Sequence, residues 1–451
     1  MEYRRFSYAN QKALLDEAAL LGVELPFAED TSVLLEPLSF CGAMLKHRLG
    51  TAPMEGADAE KDGSPTDLTL RRYVRNALGG SALIWFEAVS MWETGRSSAT
   101  QLLLNENNLS SFARLTEKVK TAGLKNNGFA PFLVLQANDS GRYSNPGGRP
   151  SPRIAYRHPY LERFRAASDE NVVSDDELQR VEEALGEMSR LARAAGFDAV
   201  DIKACHGYLT AELLSAFERY GAYGGSFENR TRLLKNGIAA AKVYETQDFH
   251  VTARIGIYDG YPEGFGFGQA GKNDPTPDFS EPVRLIRMLY EDLGVRGVDL
   301  TMGNPYVTTH VTRPFDRGKY EPPEPPLKGI DRMIKGVGRI KRAVPGMTVL
   351  ASAPSYLRQF SDLYTAGAVE RGDCDGMLFG RLSFAYPSFA NDILHNGRLD
   401  PRSVCLTCGK CGDLIRSHLA TGCVVRDAET YMPYYQAYLR ERDRLPANFR
   451  G

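Results

Sequence analysis

Residues 174–205 read SDDELQRVEEALGEMSRLARAAGFDAVDIKAC. The first part is an amphipathic helical segment, with Ser174 placed as its N-cap and Gly196 as its stop. After Gly196 the sequence turns into DAVDIKAC (198–205), a short apolar run that predicts a buried strand. A helix leading into such a strand is the repeating unit of an α/β protein.

The pattern of short apolar run and longer amphipathic stretch extends along most of the chain. Besides 198–205, the expected strands are LGTAPME (49–55), ALIWFEAVSM (82–91), APFLVLQAND (130–139), FHVTARIGIYD (249–259), GVDLTMG (297–303), MTVLASA (347–353) and GDCDGMLFGR (372–381). Eight alternations favour an α/β (β/α)8 TIM barrel over an open doubly wound sheet. Residues 1–35, with NQKALLDEAALLGVEL, predict a helical leader. Residues 36–395 hold the barrel and 396–451 a cysteine-bearing C-terminal extension. Two long insertions follow expected strand ends: polar, proline-rich 139–172, and TRPFDRGKYEPPEPPLKG after the sixth strand. Both lie where barrels build active sites.

Composition narrows the partners. At 451 residues, 43% hydrophobic and net charge −1, the chain is ordinary globular stock without the basic footprint of a nucleic-acid binder. The N-terminal stretch lacks a signal-peptide core, and no run is long and apolar enough to span a bilayer, so the expectation is a cytoplasmic protein. In a reducing compartment, the clustered cysteines favour metal binding over disulfides. No motif sets the oligomeric state, homo-oligomeric or otherwise.

At the end of the fourth expected strand stand Lys203, His206 and Tyr208: a cationic donor, a switchable imidazole and a phenol on the catalytic rim. With the run YGGSFENR that follows, this stretch resembles the old yellow enzyme family, whose members carry His-x-x-His/Asn-x-Tyr-Leu here. The resemblance extends over APMEG (52–56), RNALGGSALIWFEAVSMWETGR (75–96), QANDSGR (136–142), ARIGIYD (253–259) and FGRLSFAYPSFAND (379–392). It implies FMN in a TIM barrel, with NAD(P)H as transient reductant and a small unsaturated molecule as substrate. Ala52, Pro53, Met54 and Ala88 are then expected against the flavin ring and Gln136 at its pyrimidine edge. Arg254 is expected beside N1 and O2, and Gly380 and Arg381 at the phosphate. His206 and Lys203 would hold the oxygen of an α,β-unsaturated carbonyl or carboxylate while flavin N5 delivers hydride and Tyr208 donates the proton. Running the same flavin in reverse, as an amine or ketone dehydrogenase, is one alternative; an electron-transfer subunit is another.

Three departures bear on this expectation. Lys203 replaces the more familiar His, and a point charge there favours anionic substrates. Asp139 stands where many relatives have His. LASAPSY (350–356) lacks the glycine that often approaches the phosphate after the seventh strand.

The extension carries CLTCGKCGDLIRSHLATGC, with Cys405, Cys408, Cys411 and Cys423 spaced C-x2-C-x2-C-x11-C. The branch of the family resembling 2,4-dienoyl-CoA reductase holds a [4Fe–4S] cluster there, on a spacing one residue longer between the second and third cysteines. Iron–sulfur, structural zinc and free thiols are the readings open to these four. A cluster would admit electrons from a redox partner protein. The relatives of that branch continue into nucleotide-binding domains, which this chain is expected to lack. His418 reads as a solvated loop residue, Cys41 and Cys374 as core, and Cys205 as facing away from the site. GFGQAG (266–271) fits Gly-x-Gly-x-x-Gly but does not sit between a strand and a helix, so it predicts a flexible loop and no dinucleotide site.

Overall fold

The computed structural model describes residues 5–318 and 320–444. Expectations placed on residues 1–4 of the leader, on Lys319 and on 445–451 of the extension lie outside them.

All eight expected strands form, each shorter than its apolar run: β1 (Leu49–Thr51), β2 (Leu83–Ser90), β3 (Phe132–Asn138), β4 (Ala199–Ile202), β5 (His250–Gly256), β6 (Gly297–Thr301), β7 (Thr348–Ser352) and β8 (Gly376–Phe379). They pair in parallel in chain order, and β8 pairs with β1 to close the barrel. Nearly every strand residue is buried. The inner face packs on itself and the outer face is covered by helices, so the strands read as continuous apolar runs.

The helix announced by Ser174 spans Asp175–Ala194. Glu177 N donates to the Ser174 hydroxyl, and the Glu177 carboxylate accepts in return from Ser174 N at 2.8 Å. Gly196 ends it with φ +81°, a conformation that costs a side-chain-bearing residue. The buried stripe Leu178, Val181, Leu185, Met188 and Leu191 has the spacing of a single helix face. Leu185 settles against the helix Arg232–Lys242 at Gly237, where a Cβ would stand 2.4 Å from its methyl.

An antiparallel hairpin that the sequence did not announce, Leu38–Phe40 with Ala43–Leu45, plugs the N-terminal mouth of the barrel. Phe40 meets Trp85 and Phe132 edge-on at 6.1 and 6.0 Å, in a core shared with Leu83, Ala199, Leu350 and Leu378. With that end sealed, ligand access is left to the opposite face. The leader contributes a helix at Gln11–Leu20 and a short 3-10 turn at Ser32–Leu35. GFGQAG needs correction: Gln269–Gly271 pairs with Asp274–Pro277 in a small antiparallel hairpin rather than lying as a loop. That hairpin still presents no strand-to-helix phosphate turn.

The extension folds back over the C-terminal face. Its helices Lys410–Arg416 and Ala428–Arg444 share a small core of Leu414, Val424 and Tyr431. Asp427 pairs with Arg71 at 2.7 Å and with Arg75, and Thr421 N donates to Gly56 O at 2.7 Å. These bonds tie it to the first barrel unit. Among the described residues no helix is long and apolar enough to cross a membrane.

Candidate active site

A cavity of about 360 Å3 opens at the C-terminal ends of the strands. Every strand supplies part of its wall, from Ala52–Glu55 after β1 to Gly380 and Arg381 after β8. All eleven residues expected at the flavin and the reacting group line it: Ala52, Pro53, Met54, Ala88, Gln136, Lys203, His206, Tyr208, Arg254, Gly380 and Arg381. Cys205 does not, consistent with strand alternation, and Cys41 and Cys374 are buried core residues.

The rim after β4 is shaped by a left-handed turn. His206 and Gly207 have φ +67° and +70°. A Cβ at Gly207 would lie 2.2 Å from Asn304 Nδ2, and that amide donates to the Tyr143 hydroxyl at 2.8 Å. The turn sends Tyr208 back across the cavity, where the Lys203 ammonium stands 3.9 Å from the centre of its ring. Burial lowers the Lys203 ammonium to about 8. Burial also holds His206 well below the ordinary imidazole range, and nearby Arg254 and Lys203 reinforce this, so the ring is neutral near neutral pH. Its Nε2 is buried and without a partner. Tyr208 is pushed well above the ordinary phenol range, first by burial. Its hydroxyl meets that of Tyr306 at 2.8 Å, and Tyr306 stacks on Tyr143 at 3.7 Å.

Beneath the cavity, Asp201 on β4, two residues before Lys203, organises the polar groups. It accepts from Trp85 Nε1 at 2.8 Å, Gln136 Nε2 at 2.6 Å and Arg254 N at 2.6 Å. Gln136 is thereby fixed by its nitrogen, with its amide oxygen left to accept. Arg254 Nε lies 2.5 Å from Asp299 but without hydrogen-bond alignment. Burial raises Asp201 to about 6 and Asp299 to about 7. Gly380 presents bare backbone where a Cβ would meet Met54 Sδ at 2.9 Å. Apolar Ala52, Pro53, Met54 and Ala88, polar Gln136 and Arg254, and the Gly380–Arg381 pair are a donor set that suits a flat, partly polar ring with a phosphate tail.

Several cavity residues were not singled out from the sequence. Tyr143, Asn145 and Arg165 come from the 139–172 insertion, and Tyr306, Thr312 and Arg313 from the loop after β6. Arg416 and Thr421 come from the extension, beside Cys411 and His418, which the sequence had placed in the cysteine segment without linking them to this cavity. Half-buried Glu55 also lines it; burial raises its carboxyl, and Ser97 Oγ donates to it at 2.7 Å. Asp139, one of the departures, is a structural group: it accepts from Trp92 Nε1 at 3.0 Å and Gly141 N at 2.8 Å. Ala353, in the loop that lacks a glycine, takes φ +71° and lines the cavity.

Cys405, Cys408, Cys411 and Cys423 together line a second, smaller cavity, and Cys411 lines both. Thr407 N donates to Cys405 Sγ at 3.4 Å and Arg426 N to Cys423 Sγ at 3.3 Å. None of the four is in a disulfide, and burial raises Cys405 to about 12. Among the described residues, no group of three or more His, Cys, Asp or Glu side chains is placed to hold a metal ion. His418 stands outside the cysteine cavity, 3.0 Å from Asn145 Nδ2.

Residues 33–273 match the model of the NADH:flavin oxidoreductase / NADH oxidase family. An NADPH dehydrogenase of Bacillus licheniformis is 32% identical over 213 residues, 46% of this chain and 59% of that protein. The chain thus spans under two thirds of that relative's length. Among solved structures, a 2-naphthoyl-CoA reductase complex superposes with TM-score 0.70 at 18% identity, over 88% of this chain and 57% of that one. An old yellow enzyme homologue from Zymomonas mobilis gives 0.61 at 20% identity, over 81% and 94%. At such identities the two structures speak to the fold.

Proposed function

This chain belongs to the NADH:flavin oxidoreductase / NADH oxidase family, and we propose that it is an FMN-dependent ene-reductase acting on an electron-poor C=C of an α,β-unsaturated carbonyl or carboxylate. The observation that carries this reading is the convergence of Lys203, His206 and Tyr208 on the cavity lined by all eight expected flavin contacts. FMN, when bound, supplies hydride chemistry, with NAD(P)H as its reductant. Ala52, Pro53, Met54 and Ala88 would hold its ring, Gln136 and Arg254 its polar edge, and Gly380 with Arg381 its phosphate.

The protein's own groups divide the remaining work. Neutral His206 donates a hydrogen bond to the substrate oxygen, and the Lys203 ammonium offsets the negative charge that develops there. Tyr208 keeps its proton across the neutral range, as a donor to carbon requires. Its bond to Tyr306, 44% exposed, gives it a route for reprotonation from solvent.

The four tail cysteines are assigned to a [4Fe–4S] cluster, which would supply single electrons. Zinc needs all four sulfurs about 2.3 Å from one point, whereas a cluster spreads its thiolates over several irons. The assignment is supported by the ferredoxin-like spacing of the first three cysteines and by the one small cavity that all four line. The division into leader 1–35, barrel 36–395 and extension 396–451 belongs to the same reading, as does a cytoplasmic location.

The test is anaerobic purification with cofactor analysis, followed by mixing photoreduced protein with a panel of enones and enoates. Reoxidation of the flavin by members of the panel is expected. A protein without FMN, or one whose reduced flavin no alkene reoxidises, would overturn the assignment.

A further inference from the structure

The whole chain carries a net charge of −1, yet its main cavity is strongly positive. Lys203, Arg165, Arg254, Arg313, Arg381 and Arg416 line it, and Glu55 is the one acidic residue doing so among those described. Arg254 is offset by Asp299. Arg381, anchored on Pro314 O at 3.0 Å, is assigned above to the flavin phosphate, and Arg313 stands beside it. Two cations are left over.

Arg165 comes from the 139–172 insertion. Its backbone is fixed, because the buried Arg142 guanidinium donates to Arg165 O at 3.0 Å and is itself held by Glu162 and Glu212. The Arg165 guanidinium is held much less: Nη2 reaches Ser144 O at 3.2 Å, and Nε is buried without a partner. Arg416 ends the helix Lys410–Arg416, and Nη1 reaches only Gly412 O at 3.5 Å. Asp413 lies one turn away but forms no ion pair with it, and its carboxylate is approached by the Tyr435 hydroxyl. Arg165 and Arg416 both line the same cavity as Tyr306. Arg165 is half-buried without a paired carboxylate and Arg416 is exposed with the Asp413 carboxylate acting on it from one turn away, and two such guanidinium groups lining one space favour an anion between them.

We propose that Arg165 and Arg416 form an anion clamp at the cavity mouth, binding a carboxylate or phosphate carried by the organic ligand away from its reacting carbon. The proposal rests on the ene-reductase reading for which ligand is meant; the clamp's chemistry does not. An anionic group gripped there would orient the alkene relative to Lys203 and Tyr208. It would also attract charged ligands into the mouth in a salt-dependent way.

The experiment uses FMN-loaded full chain with Arg165→Gln, Arg416→Gln, the double variant and the charge-keeping Arg416→Lys, each checked for flavin content. In one arm, a saturated dicarboxylate and inorganic phosphate are titrated by calorimetry, which needs no turnover. In a second, kcat/KM is compared for an enoate bearing a remote carboxylate and for the same enoate with that remote group as methyl ester. In a third, flavin reduction is compared with NADPH and with NADH. Loss of the charge should weaken dicarboxylate binding and lower the acid-to-ester ratio by about 10- to 100-fold, with Arg416→Lys recovering part of it. An effect confined to NADPH supports the clamp and assigns its anion to the reductant's phosphate. Arg-dependent anion binding in a protein that reduces no alkene keeps the clamp and removes the ene-reductase reading. Unchanged affinity, ratio and NADPH preference in the double variant would overturn the proposal.

Discussion

The phenol oxygens of Tyr208 and Tyr306 lie 2.8 Å apart, one ring buried against Lys203 and the other reaching solvent. If Tyr208 delivers the proton, Tyr208→Phe leaves flavin reduction by NAD(P)H intact and slows reoxidation by an enone about 100- to 10,000-fold. Tyr306→Phe gives a smaller loss in the same half-reaction. Anaerobic stopped-flow separates the two half-reactions, and an unimpaired reoxidation in Tyr208→Phe excludes it as the donor.

Lys203 sets a pH dependence. With its ammonium lowered to about 8, the side chain is cationic below that pH and neutral above it. Affinity for an enoate is therefore present in the acidic and neutral range and is lost as pH rises through about 8. Lys203→Met should remove this dependence and cost the enoate more than a neutral enone. Equal losses for the two substrate types would show that the charge is not used in recognition.

The cysteine cavity predicts about four irons per chain, with matching acid-labile sulfide, after anaerobic purification. Cys423→Ala, which touches only the smaller cavity, should lose the iron and keep the FMN. Metal analysis giving one zinc per chain and no iron would return the site to a structural role.

Gly207 carries both a positive φ and a crowded neighbour in Asn304. Gly207→Ala should destabilise the fold by about 1–3 kcal/mol, read as a lower denaturant midpoint. It should also disturb the Asn304–Tyr143 bond and hence the stack beneath Tyr306. A midpoint equal to wild type would mean that the turn relaxes at no cost.

The barrel was legible because each strand is covered on both faces and so leaves an uninterrupted apolar run, and because Ser174 and Gly196 mark a helix by local chemistry. The residues assigned to the flavin were read from motifs shared with the family, and the β4 rim from polar groups at a strand's end; both sets line one cavity because they stand at or just past strand ends. Tyr143, Tyr306, Arg165 and Arg416 were not legible, since loop and extension residues carry no periodicity and reach the cavity only through tertiary docking. The hairpin at Gln269–Pro277 was hidden for a related reason: its second strand, DPTP, is exposed and half proline, the opposite of an ordinary strand signal.

The seven-residue helix Lys410–Arg416 carries a cysteine of the smaller cavity near its start and a mouth arginine at its end. On the readings above, the supply of electrons and the choice of ligand are welded into one two-turn segment. Grafting that segment between homologues would transplant both properties in a single exchange. A lineage that altered one would therefore place the other under immediate selection, so the barrel and its appendage are expected to diverge as a unit.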